Sequence, residues 1–290
     1  PIVNAINNGL NANNISKFMG IFNGTSNFIL SKMTHEQTTF KDALEEAQRL
    51  GFAEADPTDD VEGVDAARKV VITSYLSFNQ VIKLNDVKSV GISDITLADI
   101  NAASALNYKI KSIGKGTYEN GYVNASVEPT LIHKNHQLAA VENEYNAIYV
   151  IGDAVGDTMF YGKGAGSLAT GSAVVSDLLN VALFFESNLH TLPPHFELKT
   201  EETKEMMDGA EPVVIQEKSN YYIVISNNNK SLEKVEYDIK KKLPFHKSLQ
   251  LVERDQDTYA IIVTGIETSP EKVLNQSGFN IKKVYPVEGV

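Results

Sequence analysis

The chain has no cysteine and no tryptophan, and its 26 Lys and Arg residues are outnumbered by 37 Asp and Glu. Without cysteine there is no disulfide, no thiolate metal site, no iron–sulfur cluster and no thiol nucleophile, a composition that fits a reducing compartment. The net charge of −11 argues against nucleic acid as the main partner, because phosphate binding depends on clustered cations. No uninterrupted apolar run approaches the ~20 residues of a membrane span, so no membrane partner is expected. Chemistry must come from carboxylates, lysine, histidine, hydroxyls or a borrowed cofactor.

What is present is an ordinary globular composition, 42% apolar and 22% charged, over 290 residues. That length accommodates two domains of about 100–200 residues each. The first residue is Pro1 rather than Met, which leads us to expect a preceding segment. Residues 211–290 hold 11 basic and 11 acidic side chains, so the whole acidic excess precedes them. Together with the polar stretch Glu197 to Glu211, this shift predicts a boundary near residue 212, dividing a domain of residues 1–211 from one of residues 212–290.

In the second domain the patterning predicts strand, helix, strand, strand, helix, strand, the ferredoxin-like order. In the first, Ile15 to Phe22 reads as a strand entering Asn23-Gly24-Thr25-Ser26 and a helix. A further helix follows Thr39, with Asp42 at the capping-box position and Gly51 beyond its end. Val64 to Tyr75 is a third helix, Asn120-Gly121 marks a hairpin, and Gly171 to Phe185 is an apolar helix. The expected class is α+β: a mixed sheet covered by helices, followed by a small ferredoxin-like domain.

The densest local feature runs from Glu54 to Asp65, with six acids in twelve residues and no base among them. Such a segment is either solvated, or each carboxylate has its own donor, or a cation is held. Its spacing lacks the glycine and glutamate of a calcium loop, so no metal is expected. Asp65 and Lys69 fall at i and i+4 on one helix face, the spacing of a solvated ion pair and equally of a working lysine. Lys69 is flanked by Val70, Val71 and Ile72, which predicts a largely buried helix and a lysine that must be paired or catalytic. Asn23 to Ser26 opens a helix with free N–H groups, and Gly162-Lys163-Gly164-Ala165-Gly166 is a turn between strand and helix that matches no complete nucleotide motif.

Taken together, Gly20 to Leu30 (GIFNGTSNFIL), Leu50 to Lys69 (LGFAEADPTDDVEGVDAARK), Gly162 to Gly166 (GKGAG) and Ser172 to Asp177 (SAVVSD) resemble homoserine dehydrogenase. The resemblance covers the whole chain and likens the last 70 or so residues to an ACT-type regulatory domain. It implies an enzyme interconverting L-aspartate 4-semialdehyde and L-homoserine with NAD or NADP, in the cytoplasmic synthesis of threonine and methionine. It further implies Lys69 as proton donor and Asp65 as its catalytic partner. Glu54, Asp60, Asp59, Gly24 and Thr25 would face the small-molecule substrate, and Gly164, Ala165 and Gly166 the cofactor. A homodimer or homotetramer is implied as well. The family's Rossmann domain, with its G-x-G-x-x-G, is not in this sequence, so the chain as given is expected not to turn over. The other reading of the same residues is a non-enzymatic amino-acid sensor that keeps the acidic pocket.

Overall fold

The structure, a computed structural model, describes residues 2–186, 219–226, 230–243, 246–266, 270–275 and 279–289. The boundary expected near residue 212 lies outside the described residues. A short helix α1 (Ile2–Asn4) and a wide π-helical turn (Ala5–Gly9) lead into β1 (Ile15–Ile21), α2 (Gly24–Glu36), α3 (Phe40–Arg49), a single turn α4 (Thr58–Val61) and α5 (Val64–Phe78). Then come β2 (Lys88–Ser89), α6 (Leu97–Ala105), β3 (Tyr108–Glu119), β4 (Tyr122–His133), β5 (Tyr145–Gly152), β6 (Gly156–Lys163) and α7 (Ser167–Glu186). After the undescribed segment follow β7 (Ser219–Ser226), α8 (Leu232–Lys242), β8 (Ser248–Asp255), β9 (Thr258–Ile266), α9 (Pro270–Asn275) and β10 (Ile281–Glu288).

Local chemistry accounts for the boundaries. The Thr39 hydroxyl accepts from the Asp42 N–H and starts α3, Thr96 and Asp99 form a reciprocal capping box at α6, and Ser231 caps α8. Asn120 and Gly121 both adopt positive φ, +51° and +87°, the turn that joins two strands with matching twist, and β3 and β4 pair along their full length across it.

The strands form one mixed sheet in the order β6-β5-β1-β3-β4-β10-β7-β9-β8, with β2 beside β4. The order β10-β7-β9-β8 is the ferredoxin-like arrangement expected of the C-terminal part. Its last strand joins the first part directly: Val287 and Glu288 of β10 pair in parallel with Leu131 and Ile132 of β4. The two sheets therefore meet edge to edge within a single chain. Glu288 also reaches over the sheet to Lys17 on β1 at 2.9 Å and Lys115 on β3 at 2.8 Å.

One apolar core combines Phe28, Leu30 and Met33 of α2 and Ile100 of α6 with Leu131 of β4 and with Tyr222, Ile262 and Tyr285 of the C-terminal strands. A second joins Ala67, Val70 and Phe78 of α5 to Phe18, Phe22 and Val127. Leu131 and Val127, four residues apart on β4, face the same side of the sheet, so both helical layers cover one face. The other face carries Met19, Ile113, Ile132 and Tyr149, closed by the turn Gln137–Ala140. Gly114 on β3 lets α5 settle: a Cβ there would lie 2.5 Å from the Phe22 ring and 2.6 Å from Val70. By contrast the apolar side chains of α7 are exposed among the described residues, Leu168 to 88%. No described helix is long and apolar enough to cross a membrane.

Two buried polar clusters lie within this scaffold. Asp99 on α6 is completely buried and accepts from Arg254 of β8 at 2.8 Å and Lys283 of β10 at 2.6 Å. Burial opposes its ionisation, but these cations and the Thr96 N–H outweigh it and hold the carboxyl below the usual range. Lys111 on β3 is 2% exposed and donates to the Val141 carbonyl at 2.6 Å, Asn27 Oδ1 at 3.1 Å and Glu142 at 3.1 Å. Asn27 in turn donates to the carbonyls of Val141, Asn143 and Tyr145, clamping that loop onto α2. Burial pushes the Lys111 amine down to about 8 in spite of the neighbouring carboxylate. Burial works the other way on Glu142, where the Lys111 charge and bonds from Lys109 and Ser31 prevail and bring it down to about 2.

Removing Asp99 leaves two cations buried without their carboxylate, so Asp99→Ala should destabilise the chain by about 3–5 kcal/mol in urea unfolding. A change under about 0.5 kcal/mol would show that the cluster does not join the two parts. For Glu142 the folded value is depressed, so its contribution is full above the unfolded value of 4.5 and is lost as pH falls toward 2. The stability difference between the parent chain and Glu142→Gln should therefore narrow over that window, and a constant difference would contradict the assignment.

Candidate active site

The acidic segment packs against the start of α2. Strand β1 ends at Ile21, and Asn23 caps α2, its Oδ1 accepting from the Ser26 N–H at 2.8 Å. With the oxygen committed there, Nδ2 faces the acids and donates to Asp60 Oδ1 at 2.6 Å and to Asp65 Oδ2 at 3.0 Å. Lys69, one turn after Asp65, donates to the same Oδ2 at 2.6 Å and to the Phe22 carbonyl at 3.0 Å. Two of its three N–H bonds are thus committed, and the third has no protein acceptor among the described residues.

The position of Lys69 corrects one expectation. Helix α5 is not buried around the lysine: Val70 is fully buried but Ile72 is exposed, and the Lys69 side chain is 46% exposed. An apolar run of three spans 200° of a helix, so its members cannot all face the core. Lys69 lies at the margin of the packed face, anchored by Phe22 and Asp65 with its tip accessible.

The other expected residues divide. Gly24 follows Asn23 directly, and Thr25, buried, donates to the Phe52 carbonyl at 2.7 Å, tying the start of α2 to the chain just before Glu54. Phe52 also packs on Phe28, ring centres 4.9 Å apart. Asp60 joins the cluster through Asn23. Asp59 does not: it turns to the exposed Arg68, 2.5 Å away. The Glu54 side chain is exposed, and its carboxylate makes no hydrogen bond or ion pair among the described residues; its carbonyl accepts from Gln48 at 3.0 Å. Asp56 binds the Thr58 hydroxyl and N–H, which lower its pKa, and Glu62 accepts from Ser93. Five of the six acids therefore have a donor, Asp60 and Asp65 sharing the Asn23 amide, which explains how the density is tolerated.

The glycine turn reaches the same neighbourhood by way of Asn146 on β5. A Cβ on Gly24 would lie 3.4 Å from Asn146 Oδ1 and 2.7 Å from the Glu144 carbonyl, and a Cβ on Gly164 would lie 2.7 Å from Asn146 Cγ. The Asn146 side chain thus stands between the α2 start and the turn that carries Gly164, Ala165 and Gly166 into α7. Sequence reasoning missed Asn146, the Phe22 carbonyl and the clamp made by Asn23. The cap at Asn23 was visible in the order Asn-Gly-Thr-Ser, but the second half of its amide answers to residues 37 and 42 positions away, for which no local pattern exists.

Comparison with known proteins identifies the family. The homoserine dehydrogenase family model matches residues 1–179, and that of the homoserine dehydrogenase C-terminal domain matches residues 218–290. The homoserine dehydrogenase of Bacillus subtilis (strain 168) is 52% identical over 181 residues, covering 62% of this chain and 42% of the relative. The crystal structure of S. aureus homoserine dehydrogenase at pH 7.0 superposes with a TM-score of 0.83 at 70% identity, over 96% of this chain and 66% of that one. The homoserine dehydrogenase from Thiobacillus denitrificans gives a TM-score of 0.81 at 34% identity, over 99% of this chain and 67% of that one. The chain spans less than half the length of the Bacillus relative. With a family model matched over more than half of its residues, the chain belongs to the homoserine dehydrogenase family.

Proposed function

We propose that this chain forms the substrate-binding and C-terminal parts of an enzyme interconverting L-aspartate 4-semialdehyde and L-homoserine with NAD or NADP. The observation that carries this reading is the Lys69 ammonium, fixed by Asp65 and the Phe22 carbonyl with one N–H to spare. An acid so held, at the accessible end of its side chain, suits protonation of a carbonyl oxygen as it becomes an alkoxide. In the reverse direction the same amine takes the hydroxyl proton. Asp65 orients the amine and balances its charge. Asp60, beside it, and Glu54, whose carboxylate is unengaged among the described residues, are the acids for the substrate ammonium, while Gly24 and Thr25 at the α2 start offer N–H groups to its carboxylate. Asp59, paired with Arg68, is the weakest of these assignments and acts at most through that pair.

The nicotinamide supplies hydride to carbon or accepts it when bound. The residues here fit only an edge of that cofactor: the Gly164 to Gly166 turn presents backbone beside Asn146, but no dinucleotide-binding βαβ unit surrounds it among the described residues. Residues 1–211 would then be the catalytic and dimerisation domain and residues 212–290 an ACT-like domain. Because β4 and β10 use one edge of each sheet internally, β6 and β8 are the edges left for a homodimer or homotetramer. Synthesis of threonine and methionine in the cytoplasm is the setting this activity implies.

In the full-length protein, Lys69→Met should lower kcat for L-homoserine oxidation by about 10²–10⁴-fold while leaving NAD(P)H affinity, followed by fluorescence, unchanged. Turnover within a few-fold of the parent would remove Lys69 from the reaction.

A further inference from the structure

We infer that Asn23 is a positioning residue of the reaction, setting Asp60 and Asp65 side by side and through Asp65 aiming the Lys69 amine. This rests on the function proposed above and names a residue that acts through others. Its carboxamide is buried, with 6% of the residue exposed, and all its bonding capacity toward this site is defined. Oδ1 is held by the Ser26 N–H, so the amide cannot flip without breaking the cap and turning an oxygen on two carboxylates. Each of the two Nδ2 hydrogens then has one acid, Asp60 at 2.6 Å and Asp65 at 3.0 Å. One neutral group thereby draws two like charges together that would otherwise repel.

The arrangement is directional. Asp65 Oδ2 receives Asn23 on one side and Lys69 on the other, and Lys69 is tied to the carbonyl of Phe22, the residue preceding Asn23. Strand end, cap, acid and amine form a closed circuit: Phe22 and Asn23 are adjacent in the chain, and Asp65 and Lys69 are one turn apart on α5. Without the amide, Asp65 keeps its lysine as its one partner among the described residues, the pair can swing together, and the uncommitted N–H loses its fixed direction. Misplacement of this kind, on the scale of 1 Å, is enough to cost about 10²-fold in rate. The cap is a separate function that other side chains perform. Serine and aspartate both accept from the N–H of the third residue and start helices well, yet neither can donate to two carboxylates in this geometry.

The test is a double-mutant cycle on L-homoserine oxidation by the full-length protein, with thermal unfolding measured in parallel. Asn23→Ser should lower kcat about 10–100-fold with the melting temperature little changed, and the same substitution in an Asp65→Ala background should cost less than about 3-fold. Asn23→Asp, which preserves the cap but adds a third carboxylate, should lose at least as much as Asn23→Ser, and it serves if the serine variant does not fold. A kcat within about 3-fold of the parent for the folded variant, or an equal loss with and without Asp65, overturns the role, since a purely structural effect would multiply. Lys69→Met separates the two levels: if it is inactive while the cycle is additive, only the Asn23 role fails. If it turns over normally, the proposed function fails and this role with it.

Discussion

A lysine amine held between a main-chain carbonyl and a carboxylate is the constraint on which the rest of this structure depends. The carbonyl belongs to Phe22 at the end of β1 and the carboxylate to Asp65 on α5, so the amine registers a helix against a strand. That approach is possible because the neighbouring strand offers a bare backbone at Gly114, where Phe22 and Val70 close over the space a side chain would fill. Val70 follows Lys69 in the chain and is fully buried, so burying it fixes the root of the lysine. Its tip remains accessible. Apolar packing thus sets the position of the side chain, and two hydrogen bonds set its direction.

Much of the scaffold was legible in the sequence because its signals are local. The cap at Thr39, the Asn120-Gly121 turn and the βαββαβ order each depend on a few neighbouring residues, and each forms as read. The i, i+4 relation of Asp65 and Lys69 is likewise local. What could not be read depends on where distant segments meet. Nothing near Lys69 announces the Phe22 carbonyl 47 residues earlier, and the hydrophobic flank Val70-Val71-Ile72 suggested a depth of burial that helical geometry does not allow. The acidic run showed its density but not its partners: Asp59 faces Arg68 and Glu62 faces Ser93, whereas Asp60 shares an amide with Asp65.

The two parts are also less separate than a shift in composition implies. The sheet passes from β4 to β10 without a break, Tyr222 and Tyr285 enter the same core as Phe28 and Leu30, and the buried Asp99 accepts from both Arg254 and Lys283. A strand edge, an apolar core and an ion cluster therefore join the ferredoxin-like part to the one that carries Lys69. On the other face, Glu288 of the final strand holds Lys17, in the strand that ends at the Phe22 carbonyl. The C-terminal strand and the candidate site are thus both attached to β1, one through Lys17 and the other through the residues that follow Ile21.

The central claim is that the free N–H of Lys69 meets the oxygen of the amino-acid substrate. A crystal structure of the full-length protein with L-homoserine bound tests it most directly. The account predicts the substrate hydroxyl within about 2.7–3.2 Å of Lys69 Nζ, the bonds to Phe22 and Asp65 unbroken, and the ammonium facing Asp60 or Glu54. L-homoserine lodged elsewhere, with Lys69 still bonded only to Phe22 and Asp65, would contradict it.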